Sequence, residues 1–499
     1  QAEAVIRYYY VTGVQTCALP ILHFDGIQIG AIYSTTAIAA MISPLFAGYI
    51  TDRFLATEKM IAMLHLVGAG LLVAAAVTEK FSLLYPIMIV YSICYMPTLA
   101  LTNAITFANI GDPEKEFPGI RVWGTWGWIV VGLVVGFYLD KPTGESNLPI
   151  YLAAAASAVL GVFSFTLPHT PPKVRSLDPA SESTGSRVGV MQLLQDPSLL
   201  VFVICSFLLF IPLSFYYGFA HVFLTQTDAP YPTALQTIGQ LSEVGFMAAM
   251  PFFILRLGVK KMLVIGMLAW TIRYFAFGSL SLPFIVFGLV LHGVCYDFFF
   301  VASQIYVDKR VSEDQRASAQ GFIAFVTMGV GMFVGSYVGG LTFDKYPSEV
   351  QVAVTTIPKE GDPETGTSIL PAWDLKGEKG FAKELGLKAD STVRPDQIPE
   401  AYTEVDEKTG TKTVFEQESF IKAVSEADTN GDGAVSRLEW RKAQQHDWFH
   451  IWLWPGLAAL ATCVVFWIGF KNHRNPKPED ETADEAPLGA GEDPEPQVG

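Results

Sequence analysis

The sequence predicts an all-α membrane protein, and three observations lead to this fold class. Hydrophobic residues make up 51% of the 499 residues and charged residues only 16%, whereas soluble domains carry about 25% charged residues. The apolar residues fall into runs long enough to cross a bilayer as helices, which takes about 20 residues. Basic residues gather in alternate loops between these runs, as expected for a chain that crosses the membrane repeatedly.

Eleven apolar runs are candidate membrane spans. The loops that hold most Lys and Arg residues are predicted to be cytoplasmic, and the alternate loops non-cytoplasmic. A polar linker at 168–197 separates five runs from the six that follow, which suggests two six-helix halves without the first helix. The N-terminal half would cover 22–167, the C-terminal half 198–343, and the last helix 448–470. The runs lie at 27–50, 59–78, 82–107, 120–139, 148–167, 198–224, 235–255, 261–279, 282–307, 317–342 and 448–470.

The two ends of the chain are predicted to lie outside this helical body. Residues 11–21 are similar to the translation of a sequencing-library adapter, so 1–21 is predicted to be an artefact. Residues 471–499 are first basic and then acidic and Pro-rich, with no core-forming side chains. They predict a disordered cytoplasmic tail.

A polar segment at 344–447 interrupts the second half before its last run. It has an excess of acidic residues and follows a span that begins in the cytoplasm, so it is predicted to be non-cytoplasmic. Residues 428–439 match the EF-hand loop, whose oxygens bind calcium. Because a single loop is visible, a structural calcium site is favoured over a switch, and a chance acidic loop is the alternative. The predicted ligands are Asp428, Asn430, Asp432, the Ala434 carbonyl, Ser436 and Glu439.

Polar residues inside the apolar runs mark a candidate functional site. Gln240 and Glu243 are three residues apart and share one predicted helix face. A carboxylate at that depth costs about 3 kcal/mol or more, so it normally faces a wet cavity, where it can take up and release a proton. A hydrogen bond that only joins two helices is the alternative.

A second helix face carries a cation, a hydroxyl group and a large ring. Arg121, Thr125 and Trp128 recur at i, i+4 and i+7, so together they could hydrogen-bond to a polar ligand and stack on a flat one. The alternative for Arg121 is an interfacial residue that keeps its charge in water.

A third face carries His292 and Tyr296, with Asp297 beside them. Asp297 lies in the middle of a predicted span, which favours a role in the site. A structural ion pair between Asp297 and Arg273 is the alternative.

Around these residues the chain resembles the nucleoside–proton symporters of the major facilitator superfamily. The matching stretches cover nearly the whole predicted membrane body in the family's order and spacing. The resemblance implies the major facilitator fold, with twelve helices in two six-helix halves and a central site that opens alternately to either side. The stretches are Phe24-Asp25-Gly26 with Ile29-Gly30-Ala31, Tyr95-Met96-Pro97-Thr98-Leu99, Ile120-Arg121-Val122-Trp123-Gly124-Thr125, Leu167-Pro168-His169, Gln240-Leu241-Ser242-Glu243, Pro251-Phe252-Phe253, Asp297-Phe298-Phe299 and Arg316-Ala317-Ser318-Ala319-Gln320-Gly321.

The resemblance also implies which residues bind the nucleoside, and that Glu243 and Asp297 couple transport to protons. This chain departs from the family's pattern at several positions: Trp128 stands in place of a Phe, and Ser214 and Tyr217 in place of a polar pair. The calcium loop is not part of that pattern. The substrate-binding residues would be Arg121, Thr125, Trp128, Gln240, Glu243, Tyr296, Asp297 and His292, which replaces a Tyr.

The predicted function is proton-coupled nucleoside uptake across the cytoplasmic (inner) membrane by alternating access. The alternatives are a calcium-responsive receptor on a transporter fold, and a major facilitator transporter of another small polar metabolite. An enzyme is not expected, because the apolar body carries no nucleophile–base set or phosphate-binding loop. The expected partners are the nucleoside, protons and lipid, without nucleic acid or an obligate protein partner. Because a twelve-helix fold needs one more helix before Phe24, the chain as written is predicted not to transport.

Overall fold

The computed structural model describes most of the helical body and much of the polar segment. The described residues are 25–78, 80–111, 113–139, 147–172, 195–227, 229–308, 310, 316–348, 350–358, 362–371, 373, 381, 386, 391–400, 402–405 and 411–471. The predictions for 1–21, for most of the linker and for nearly all of the tail lie outside them. The first half contains α1 (Gly26–Arg53), α2 (Thr57–Ala76), α3 (Phe81–Asn109), α4 (Pro113–Val134), a π turn (Val135–Leu139) and α5 (Leu148–Ser164).

The second half contains two long helices, followed by shorter helices that are joined by π turns, in which the backbone hydrogen bonds skip one residue more than in an α-helix. Its elements are α6 (Pro197–Gln226), α7 (Pro232–Gly278), α8 (Leu282–Tyr296), a π turn (Asp297–Val301), α9 (Ala302–Asp308), α10 (Arg316–Ala324), a π turn (Phe325–Gly331) and α11 (Met332–Lys345).

Each apolar run of the sequence falls on a helix. Six stretches of the described residues are long and apolar enough to cross a membrane by length and composition, and three shorter apolar helices lie in the first half. The 47-residue helix α7 covers two of the runs and bends at Gly258, where φ is 68°. Side chains other than glycine rarely adopt this φ, so Gly258 sets the break between the two halves of α7. The six stretches are 57–76, 81–106, 197–226, 282–307, 319–345 and 448–469.

Small residues on α11 allow it to pack closely against α6. A Cβ atom on Gly335 would lie 2.5 Å from the Ser214 hydroxyl oxygen, and one on Gly331 would lie 2.8 Å from Cβ of Phe210. The four-residue spacing of the α11 glycines thus forms a packing seam, as small residues do between membrane helices.

The polar segment forms a unit with its own core. Strands β1 (Gln351–Ile357), β2 (Glu364–Ile369), β4 (Tyr402–Val405) and β5 (Lys412–Phe415) form an antiparallel sheet in the order β2-β1-β5-β4. Strands β3 (Thr392–Val393) and β6 (Val435–Ser436) form a second pair, and α12 (Gln417–Ala427) and α13 (Arg437–Ala443) flank the predicted calcium loop. Val352, Phe381, Phe420, Val424 and Trp440 are almost fully buried in a core separate from that of the helical body.

The two ends of this unit meet where it joins the helices. Ser348 pairs with His446 in an isolated antiparallel bridge, and the next helix, α14 (Trp448–Gly469), begins directly after it. Gln226, near the end of α6, accepts a hydrogen bond from the Trp448 indole at 2.8 Å and one from the His446 backbone at 3.1 Å. The segment between α11 and α14 is therefore attached to α6 as well.

Candidate functional site

The site begins with a close crossing of α7 and α8. The Ser242 hydroxyl donates to the Val290 carbonyl at 2.5 Å. A Cβ atom on Gly293 would lie 2.6 Å from the Ser242 hydroxyl oxygen, and one on Gly239 would lie 3.1 Å from Cβ of His292. Because neither glycine has a side chain, the two backbones approach closely, and the Gln240–Glu243 face of α7 meets His292 on α8.

Three charged or titratable side chains contact one another in series: Arg273 from the second half of α7, His292 from α8, and Glu243 from the first half of α7. Arg273 Nη1 lies 2.8 Å from His292 Nδ1, and His292 Nε2 lies 3.8 Å from Glu243 Oε2. The latter distance is in the range of an ion contact but longer than a hydrogen bond. Arg273 is 0% exposed, His292 2% and the Glu243 side chain 12%. The chain of contacts therefore runs from a buried cation to a carboxyl group with some access to solvent.

Two other polar side chains of this region, those of Asp297 and Gln240, have buried oxygen atoms without a hydrogen-bond partner in the described structure. Asp297 is fully buried, and neither of its carboxylate oxygens has a hydrogen-bond partner among the described residues. The same holds for the Gln240 side-chain oxygen. Asp297 also interacts electrostatically with Glu243 and begins the π turn Asp297–Val301, a feature often found at functional sites. Buried polar atoms without partners are costly, so a ligand or proton is the expected partner.

Aromatic rings line the same region. The His292 ring centroid lies 5.7 Å from that of Tyr296 and 5.6 Å from that of Tyr216. The Arg273 guanidinium carbon lies 3.7 Å from the Tyr216 ring centroid. These rings offer flat apolar surfaces next to hydrogen-bonding groups, a combination that suits a planar polar ligand.

The first half reaches this region through α4 and the π turn that follows it (Val135–Leu139). A Cβ atom on Gly136 would lie 2.7 Å from Cβ of Ala234, and Phe137 contacts Tyr231 edge to face with ring centroids 5.1 Å apart. The two helices therefore run antiparallel. Trp128 lies eight residues before Gly136, and Gln240 six residues after Ala234. At about 1.5 Å per residue, both lie roughly 10 Å from this contact and at similar depth.

The structure thus brings five of the predicted site residues together at the α7–α8 crossing: Gln240, Glu243, His292, Tyr296 and Asp297. Thr125 and Trp128 are partly buried on α4, and the side chain of Arg121 lies outside the described part of the structure. Ser214 bonds to the Phe210 carbonyl and faces α11, so this residue of the replaced pair does not contribute to the α7–α8 cluster.

Sequence reasoning missed part of this arrangement. The alternative ion pair between Asp297 and Arg273 is not formed, because Arg273 contacts His292 instead. Tyr216 was not predicted, since one more aromatic residue in an apolar run carries no signal. The spacing of nineteen residues between Arg273 and His292 spans two helices and their turn, and it could have indicated that these residues meet.

The predicted calcium loop is a second candidate site. The Asp428 carboxylate accepts the backbone N–H groups of Gly431 and Gly433, each at 2.8 Å. The Glu439 carboxylate accepts the backbone N–H and the hydroxyl of Ser436, and the backbone hydrogen bond is the main cause that lowers the pKa of Glu439. Among the described residues, no three His, Cys, Asp or Glu side chains converge on a point that could hold a metal ion. The donor set suits calcium, but Glu439 would have to turn toward the ion.

Comparison with known proteins identifies the helical body. The family described as nucleoside H+ symporter matches residues 12–358. The chain belongs to the nucleoside–H+ symporter family. It is therefore a transporter rather than an enzyme. The match ends before residues 428–439, so the family gives no support to the calcium loop.

Relatives and solved structures agree with this assignment. The Escherichia coli K12 protein YegT, whose assignment as a nucleoside transporter is provisional, is 44% identical over 64% of this chain and 78% of its own length. The nucleoside permease NupG of the same organism is 34% identical over 65% and 81%. The crystal structure of NupG matches with a TM-score of 0.61 at 29% identity, covering 70% of this chain and 89% of NupG. An inward-facing bacterial homologue of the lysosomal transporter Spinster shares only the fold, with a TM-score of 0.60 at 12% identity over 94% of this chain and 95% of its own.

Proposed function

We propose that this member of the nucleoside–H+ symporter family takes up nucleosides with protons, and that Glu243 carries the proton. The cluster at the α7–α8 crossing is the main support. Gln240 and Asp297 have buried oxygens without partners in the described structure, and Glu243 lies 3.8 Å from His292 and interacts electrostatically with Asp297. An unsatisfied hydrogen-bonding group of this kind matches the hydroxyl and amide groups of a nucleoside.

The coupling follows from the electrostatics of the cluster. Two carboxyl groups, Glu243 and Asp297, interact across a site from which water is largely excluded, and they repel each other when both are ionised. Taking up one proton relieves this repulsion, and the neutral acid then becomes a hydrogen-bond donor. Proton uptake thereby prepares the site for a polar ligand, and proton release on the other side of the membrane weakens the binding.

Tyr296 and His292 are proposed to stack against the base, and Arg121, Thr125 and Trp128 of α4 to close the site from the first half. Trp128 lies at a depth similar to Gln240, which supports this arrangement. The protein is a multi-pass membrane transporter. Its location in the cytoplasmic membrane, with the 344–447 segment outside and the tail inside, is part of the proposal and rests on the basic loops.

The test compares Glu243→Gln with the wild-type protein in liposomes. Gln matches a protonated Glu in size and charge, so the variant should exchange labelled nucleoside across the membrane but should not accumulate it along an imposed proton gradient. Glu426→Gln, on the exposed surface of α12, is the matched control. Accumulation by Glu243→Gln at the wild-type level would contradict the coupling role.

The pocket is tested separately. Arg121→Ala and Gln240→Ala should each weaken uptake of uridine or adenosine by about tenfold or more, because a site built to hydrogen-bond a ligand leaves groups unpaired when one partner is removed. Unchanged uptake in both variants would remove these residues from the site. A competition panel would then define which nucleosides are carried; it should include xanthosine, because the xanthosine permease of Escherichia coli is 33% identical to this chain.

A calcium site at residues 428–439 is a second, independent proposal for the inserted segment. The helix–loop–helix arrangement and the oxygen-rich donor set support it. In the whole protein, millimolar calcium should slow hydrogen exchange in the loop, with an affinity of about 0.1–1 mM. Glu439→Gln should abolish the protection and Glu426→Gln should retain it. No calcium-dependent protection in the wild type would leave an acidic loop without a metal role.

A further inference from the structure

Arg273 is a permanently charged side chain in an unusual environment. It is 0% exposed and forms no ion pair with any carboxylate of the described residues. Its guanidinium carbon lies 3.7 Å from the ring centroid of Tyr216, 5.2 Å from that of Trp270 and 5.3 Å from that of Phe277. The three rings stabilise the charge through cation–π contacts. Two polar side chains of the described structure interact with the guanidinium: His292, whose Nδ1 lies 2.8 Å from Arg273 Nη1, and the Cys295 thiol.

This contact fixes where His292 carries its proton. Arginine has only donors, so Nδ1 of His292 must accept the hydrogen bond from Arg273 Nη1. An imidazole that accepts at Nδ1 is neutral and holds its single proton on Nε2. The Nε2 atom faces Glu243 Oε2 at 3.8 Å. A doubly protonated His292 would instead bring an N–H group and a second positive charge against the guanidinium.

We infer that Arg273 is a positioning residue that keeps His292 neutral and directs its Nε2–H toward Glu243. Because His292 stays neutral, the transported proton binds to the Glu243 carboxyl group and not to the imidazole. The inference rests on the proposed function of Glu243. His292 directs its Nε2–H toward the ionised Glu243 at 3.8 Å, and when Glu243 gains a proton from the solvent the imidazole keeps its Nε2 proton and stays neutral. The other titratable groups around the three residues are Tyr216 of α6, Tyr274 of α7, and Cys295, Tyr296 and Asp297 of α8.

Two substitutions of His292 separate this role from a purely structural one. In His292→Gln the amide nitrogen takes the place of Nε2 and still directs an N–H toward Glu243, whereas in His292→Asn the amide oxygen takes the place of Nδ1 and accepts from Arg273, with no N–H at the position of Nε2. Because both variants lose the imidazole ring and its stacking, the comparison between them isolates the N–H group, and we expect His292→Gln to retain about tenfold more proton-driven accumulation than His292→Asn. The opposite order would show that His292 serves only to satisfy Arg273, and would overturn the inference.

Arg273 itself is tested by the pH profile of uptake. Arg273→Lys keeps a cationic donor and should keep the wild-type profile, whereas Arg273→Gln lets His292 titrate and should add an acid limb between about pH 5 and 8. Nucleoside exchange, which needs no net proton movement, is measured in the same liposomes as the folding control. An unchanged pH profile in an Arg273→Gln variant that still exchanges nucleoside would contradict the positioning role.

A measurement on the unmodified protein does not depend on transport. Nitrogen NMR of protein labelled with 15N-histidine distinguishes protonated from unprotonated ring nitrogens. Comparison with His292→Gln identifies the His292 signals, and they should report a proton on Nε2 alone at neutral pH. A proton on Nδ1 would overturn the inference whether or not the protein transports. Absence of nucleoside transport by the wild type, with the proton found on Nε2, would instead count against the proposed function.

Discussion

The acidic side chains of the helical body and those of the inserted segment are held in opposite ways. In the body, Asp297 is fully buried and neither oxygen has a hydrogen-bond partner among the described residues. In the loop at 428–439, Asp428 is satisfied by two backbone N–H groups of its own loop, and Glu439 by the backbone N–H and hydroxyl of Ser436. Asp297 thus lacks local hydrogen-bond partners in the described structure, whereas Asp428 and Glu439 have partners within their own loop.

This difference separates function from folding. A buried carboxylate without partners destabilises the folded state, so it persists where it serves a ligand or a proton. A carboxylate that accepts hydrogen bonds from its own loop contributes to the fold, and it could bind an ion only by exchanging those bonds. Substitution of the buried carboxylate should therefore impair transport without loss of stability. Substitution of a loop carboxylate should instead lower the stability of the loop.

The largest expected effect comes from Asp297→Asn. The substitution removes the buried charge with almost no change in size, so the melting temperature should stay equal or rise, while nucleoside uptake should fall by roughly 100-fold or more. Thermal unfolding in detergent and uptake in liposomes measure the two effects. If Asp297→Asn lowers the melting temperature and leaves uptake normal, Asp297 contributes to folding and not to transport, which would contradict the proposed difference between the two regions.

Gln240→Met is expected to act in the same direction but less strongly. Met has a similar length and no hydrogen-bonding demand, so it should relieve the unsatisfied side-chain oxygen without loss of stability. Uptake should decrease by about tenfold, since one hydrogen bond to the nucleoside is lost. If affinity and uptake are both unchanged, the Gln240 side chain does not contact the ligand.

Asp428→Ala should show the opposite pattern in the inserted segment. It leaves the N–H groups of Gly431 and Gly433 without their acceptor, so the free energy of local opening should fall by about 1–2 kcal/mol. Hydrogen exchange of peptides from 411–445 in the whole protein measures this, with the peptides of α7 and α8 as internal reference. Unchanged exchange in the loop would mean that the Asp428 bonds contribute little to its stability.

A pH dependence is also expected where the segment joins the helices. Burial lowers the pKa of His446 to about 4 from an ordinary 6.5, so the neutral form is favoured in the folded state. The stability it contributes is complete above pH 6.5 and is lost as the pH falls toward 4. The pKa of Glu439 is lowered from 4.5, so its contribution is present above pH 4.5 and is lost at lower pH. Hydrogen exchange corrected for pH should detect both steps.

His446→Asn provides the control for this pH dependence. The substitution should remove the step between pH 6.5 and 4 and leave the step below pH 4.5. If the upper step persists in the variant, another group is responsible for it.

The sequence could predict the helices and much of the site, because both depend on local patterns. Apolar runs marked every described helix of the helical body, and Gln240, Glu243 and Asp297 were visible as polar residues inside such runs. The separation of the runs 235–255 and 261–279 was visible in the sequence, but the positive φ at Gly258 that breaks α7 between them could not be foreseen, because it leaves no mark other than a glycine. Nor could the contact between Arg273 and His292, which depends on how closely Gly239 and Gly293 let α7 and α8 approach.

The most direct measurement follows proton movement when nucleoside is added to liposomes without an imposed gradient. Wild-type protein should take up protons with the nucleoside, so the external pH rises. Glu243→Gln should exchange labelled nucleoside but produce no pH change. Proton uptake by Glu243→Gln equal to that of the wild type would contradict the central claim that this carboxyl group carries the transported proton.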